Sequence, residues 1–169
     1  MFIVLFAFPA SPLSLRAPAG HSLQNVVALR NLSDIGLQPI AYRLPRESYH
    51  QGEPINLELF WRASRPLSEN YQVQAYLVSA DNANLHWYET PLHFPGGFPT
   101  RRWLPNRFVV DTYTFPLSTG VIPGSYFIAL EIYSCNPFCL RDTRASFFDG
   151  DGNWLGQVLT LPAIIAITP

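Results

Sequence analysis

Cys135 and Cys139 are the residues whose type and spacing speak most directly of chemistry. Three residues separate them, across a turn that contains Pro137. A redox pair needs two intervening residues, and a zinc site needs two further ligands. The four histidines, His21, His50, His86 and His93, offer no paired ligand spacing near them. A disulfide closing a tight loop is the functional reading, and it requires an oxidising compartment. The alternative is a pair of reduced thiols near a strand end. So short a loop removes little entropy from the unfolded chain, so the bond would stabilise at the low end of about 2–4 kcal/mol.

Carboxylates come next. Asp149, Asp151 and Asn153 form an Asp-x-Asp-x-Asn string that invites calcium. An EF-hand loop asks for Gly at its sixth position and Glu at its twelfth, where Trp154 and Thr160 stand here. A glycine-rich hairpin turn accounts for the same residues. Asp111 and Glu131 fall inside expected strands and read as buried or edge carboxylates answered by neighbours, rather than as a glycosidase pair. No G-x-S-x-G elbow occurs, and Ser125 sits at a strand entry. The expectation is a chain without catalytic residues, metal or cofactor.

The last candidate is aromatic. His86, Trp87 and Tyr88 share a short run, and Phe94, Phe98, Arg101, Arg102 and Trp103 follow. Ring faces can cover the flat C–H faces of sugars while guanidinium groups satisfy hydroxyls. Trp87, Tyr88, Arg101, Arg102 and Trp103 are the expected ligand contacts of such a platform. The alternative is structural packing, in which Trp103 plugs its loop.

Strands must position these residues. Ile55, Leu57, Leu59 and Trp61 alternate with Asn56, Glu58, Phe60 and Arg62, a period-two pattern with one apolar face. Val73, Ala75 and Leu77 repeat it between Tyr71 and Ser79. Residues 85–90, 108–115, 126–133, 145–148 and 155–167 are further runs of strand length, the last interrupted by Pro162. Glu53-Pro54, Asp81-Asn82, Pro95-Gly96-Gly97, Pro123-Gly124 and Asp149-Gly150 supply turns between them. No window offers an amphipathic helix of useful length. The predicted fold is all-β, an antiparallel sandwich of immunoglobulin or fibronectin type with seven to eight strands.

Composition narrows the function classes. The 169 residues suffice for one domain with a sizeable core, and 48% are hydrophobic. Only 14% are charged and the net charge is −1, so no basic field supports nucleic-acid binding. All eleven basic residues are Arg, which excludes lysine Schiff-base and P-loop chemistry. Residues 1–30 read as an apolar, proline-rich segment or linker, and 31–169 as the sandwich. Met1 to Ala10 are apolar and uncharged, too few for the roughly 20 residues of a membrane span. They read as an atypical export signal, with Ala17-Pro18-Ala19 as a cleavage pattern, as the stub of a membrane segment, or as a loosely packed apolar terminus.

Several motifs together have a family character. They are Tyr42-Arg43-Leu44-Pro45, Tyr49-His50-Gln51-Gly52-Glu53, Leu57-Glu58-Leu59-Phe60-Trp61-Arg62-Ala63, Phe98-Pro99-Thr100 with Trp103, Val110-Asp111-Thr112-Tyr113, Ile122-Pro123-Gly124-Ser125-Tyr126, and Leu155-Gly156. In this order, over about residues 37 to 168, they resemble the extracytoplasmic C-terminal β-sandwich module of bacterial membrane glycosyltransferases of the protein-mannosyltransferase-like type. The resemblance implies a non-catalytic accessory domain, secreted or membrane-associated, whose partner is a membrane glycosyltransferase or a cell-surface glycan. Two features depart from that pattern: the polytopic catalytic part is absent, and the Cys135–Cys139 turn replaces a turn without cysteines.

Overall fold

The computed structural model describes residues 26–82, 86–105, 107–135 and 139–169. Fourteen strands run through them: β1 (Val27–Ala28), β2 (Leu32–Ser33), β3 (Leu37–Arg43), β4 (Ser48–His50), β5 (Pro54–Ala63), β6 (Tyr71–Ser79) and β7 (His86–Glu89), then β8 (Phe108–Pro116), β9 (Gly124–Cys135), β10 (Cys139–Arg144), β11 (Phe147–Phe148), β12 (Trp154–Gly156), β13 (Leu159–Thr160) and β14 (Ile165–Thr168). One sheet has the order β1-β3-β5-β8. The other has the order β4-β14-β9-β6-β7, with β10 and β13 also paired to β9. A short ribbon, β12-β11-β2, completes the set. The pairings are antiparallel, as expected, apart from the parallel edge pair of β14 with β4.

The alternation in β5 and β6 fixes the layers. Ile55, Leu57, Leu59 and Trp61 turn one way and are buried, as are Val73, Ala75 and Leu77 of β6 and Tyr126, Ile128, Leu130 and Ile132 of β9. These residues share one interior, so the apolar faces read from the sequence are the inner faces of the sandwich. At roughly 25 cal/mol per Å² of apolar surface removed from water, this interior is the main favourable term in folding.

Two details differ from the sequence reading. The run expected from Leu155 to Ile167 divides into β12, β13 and β14. Pro162 has no N–H to give a ladder, and Gly156 takes φ +114°, which turns the chain out of line. Phe60, assigned to the outer face of β5, is fully buried there. It packs with Val26, Ile40, Ala41 and Phe108 in a second apolar cluster.

Burial of this kind gives a direct test on one strand. Leu59→Ala should lower the unfolding free energy by about 2–5 kcal/mol. Glu58→Ala, on the opposite face and half-exposed in its pair with Arg43, should cost no more than about 1 kcal/mol. Urea unfolding of both variants compares them. Equal losses would contradict the assignment of the inner face.

Candidate functional site

The connection from β7 to β8 crosses from one sheet to the other, and it carries the aromatic and basic residues. A loop so exposed needs fasteners, and four are visible. The Thr90 hydroxyl accepts the Ala75 N–H at 2.9 Å. His93 and Val73 exchange backbone hydrogen bonds of 2.9 and 3.2 Å. The buried Thr100 hydroxyl accepts the Tyr71 N–H at 2.8 Å and donates to the Glu69 carbonyl at 3.1 Å. The Arg101 N–H donates to Asn70 Oδ1 at 3.2 Å. Short 3-10 turns at Pro95–Gly97 and Thr100–Arg102 take up the intervening chain. Gly96 sits at φ +67°, where a Cβ would also collide with Val109 Cγ1. Only glycine lets the loop lie this close to β8.

A buried ion pair ties the same loop to the interior. Val109, Asp111, Tyr113 and Phe115 share the inner face of β8, and Asp111 is buried among them. His93 Nε2 lies 3.0 and 3.2 Å from its two carboxylate oxygens. His93 Nδ1 lies 3.1 Å from the Pro91 carbonyl oxygen. Both positions suit an acceptor, so as the imidazolium His93 donates from both ring nitrogens. The hydrogen bond to Asp111 raises the His93 pKa, burial opposes it, and the Asp111 charge adds to the rise. The ring also meets Tyr113 edge-on, with centroids 5.2 Å apart. Burial first, then the Asp111 charge, pushes the Tyr113 phenol well above its ordinary value.

Beside this clasp lies a cleft of about 450 Å³. Phe98, Trp103, Leu104, Phe108 and Val110 give it apolar walls, and Arg102 and Arg107 line it as well. The rings of Phe98 and Trp103 lie 5.7 Å apart, tilted by 40°. Phe98 is exposed, whereas Trp103 reaches into the core and buries its indole N–H without an acceptor among the described residues. A second concavity of about 360 Å³ shares Arg102 and is lined by Asn70, Pro99 and Arg101.

The structure thus gathers Arg101, Arg102 and Trp103 of the expected contacts. Trp87 and Tyr88 belong to β7, but their side chains lie outside the described residues. Sequence reasoning missed Leu104, Arg107, Phe108 and Val110, and also the His93–Asp111 pair. Its available signal was the position of Asp111, on the inward parity of β8. Asp149 spends its carboxylate on its own turn, accepting from the Asp151 and Asn153 N–H groups at 2.9 and 2.8 Å and from Asn153 Nδ2 at 2.8 Å. Glu131 accepts from Arg144 Nη1 at 2.5 Å and from the Tyr133 hydroxyl. Backbone register sets Cys139 opposite Cys135, and the Cys139 side chain lies outside the described residues.

Among solved structures, the C-terminal domain of wzt aligns with a TM-score of 0.50 and 13% identity, over 82% of this chain and 77% of that one. The alkylpurine DNA glycosylase AlkC of Pseudomonas fluorescens aligns at 0.46 and 11%, over 79% of this chain and 31% of that one. A Niemann-Pick type C2 protein from Japanese carpenter ant aligns at 0.40 and 14%, over 72% and 79%. The first likeness is one of fold, and the other two are too loose to add to it. No protein family matches the sequence, and no curated protein does.

The clasp should make stability depend on pH. An unfolded histidine titrates near ~6.5, and His93 titrates higher in the fold. Its contribution is therefore complete below about pH 6.5 and is lost as pH rises through the raised value. Thermal unfolding followed from pH 6 to 9 should show that decline, and Asp111→Asn should flatten it. An unchanged profile in the variant would contradict the imidazolium assignment.

Proposed function

We propose that the chain is a non-catalytic binding domain that takes carbohydrate in the cleft walled by Phe98, Trp103 and Val110. It works outside the cytoplasm, beside a cell-surface glycan or a membrane glycosyltransferase. One observation carries the reading: an exposed aromatic ring and two arginines converge on a concave surface held by a pinned loop. A sugar offers an apolar face to a ring and hydroxyls to guanidinium groups, and a fastened loop loses little entropy on binding. The ionisable groups nearby support a binding role. Both His93 ring nitrogens lie against oxygens of the fold, those of Pro91 and Asp111. Asp111 and Glu131 are each committed to a cation.

Tryptophan fluorescence, followed while a panel of oligosaccharides is titrated, tests the site. At least one glycan should bind, and Phe98→Ala should weaken it by roughly tenfold with the melting temperature unchanged. Silence across the panel would remove the reading.

The location rests on the cysteine pair and on the resemblance to extracytoplasmic modules. Protein recovered from an oxidising compartment should resist alkylation at Cys135 and Cys139 until a reductant is added. Immediate alkylation of both would contradict that placement.

A further inference from the structure

We infer that the site selects acidic glycans, with the acid held in the concavity of Asn70, Arg101 and Arg102 and a neighbouring sugar ring laid on Phe98. The inference rests on the binding reading above and names its ligand class.

Five of the described arginines have a partner elsewhere in the fold. Arg43 meets Glu58, Arg46 meets Glu53 and Arg144 meets Glu131. Arg62 donates to Gln38 and Arg65 to the Asp34 carbonyl. Arg101, Arg102 and Arg107 have no carboxylate partner among the described residues. All three line the two concavities, and among the described residues no acidic side chain does. The carboxylates close in sequence or space are committed elsewhere. Glu69 accepts from the Ser134 hydroxyl, Asp111 faces His93, and Glu89 lies 3.4 Å from Gln74 Nε2.

Three unanswered guanidinium groups in a chain of net charge −1 make a local positive field. Apolar walls concentrate such a field within a concave site. The planar fork of Arg matches a carboxylate or a phosphate in two-point geometry, which a neutral hydroxyl cannot reproduce. The division into two concavities sets the size of the ligand. One holds Phe98 and Trp103, the other holds Asn70 and Arg101, and Arg102 belongs to both. A monosaccharide would fill one of them, so the fitting ligand has at least two sugar residues.

Calorimetric titration of the intact chain with tetragalacturonate and with its methyl ester, equal in size but neutral, provides the test. The acid should bind at least about tenfold more tightly at low salt, and added NaCl should erode that advantage. Arg101→Gln combined with Arg102→Gln, both exposed positions, should weaken the acid by at least about tenfold more than the ester, so that the advantage of the acid over the ester disappears. A mannotetraose bearing a phosphomonoester separates phosphate from carboxylate recognition, and tight binding of either acid supports the inference. Equal binding of acid and ester overturns it while the carbohydrate site stands. Absence of binding by every glycan overturns both. A single-stranded DNA oligomer that binds as tightly as the acid also overturns it, because charge alone would then suffice.

Discussion

A carboxylate on the inner face of a sandwich strand must be answered by a cation, because burying it alone costs several kcal/mol. Asp111 occupies such a place, between Val109 and Tyr113 on β8, and His93 answers it across the gap between the sheets. The backbone of His93 is bridged to β6 and its ring reaches β8, so one residue joins the two layers. Loss of that cation would leave Asp111 unpaired in the interior and release the loop. The contact therefore serves both the loop and the core, beside the hydrogen bonds of Thr90, Thr100 and Arg101 that also hold the loop.

From that contact the geometry of the cleft follows. His93 fixes the entry of the β7–β8 connection, Thr100 fixes its middle, and Gly96 permits its approach to Val109. Trp103 then continues the core outward while Phe98 stands exposed beside it. A platform built this way sets one exposed ring on a hydrogen-bonded base. It needs no rearrangement to meet a ligand, which keeps the entropic cost of binding low.

Much of the framework was legible because period-two alternation is a local signal. The strand Tyr71–Ser79 falls where its pattern placed it, and the inner residues of β5 are those its apolar positions named. The second cluster around Phe60 was not legible, since the same alternation assigns that residue to the outer face and says nothing of what covers it. Arg101, Arg102 and Trp103 could be picked out because they are contiguous with an aromatic run. Arg107, Phe108 and Val110 could not, because they join the cleft through the crossing between sheets. The partnership of His93 with Asp111 spans 18 residues of sequence and depends on the same crossing.

Two buried acids among the described residues, Asp111 and Glu131, act as fasteners. Histidine beside aspartate, or glutamate beside tyrosine, has the composition of an active site. What decides the matter is which atoms remain free. His93 gives both its protons to fixed acceptors, and Glu131 receives Arg144 and Tyr133 on its two oxygens. Each pair holds a segment where it leaves a sheet: the β7–β8 crossing in one case, the β9–β10 hairpin with its cysteines in the other. Charges that are answered inside the fold serve its shape. Arg101, Arg102 and Arg107, exposed on the same loop, have no carboxylate partner among the described residues, and that contrast is what the proposed acidic ligand rests on.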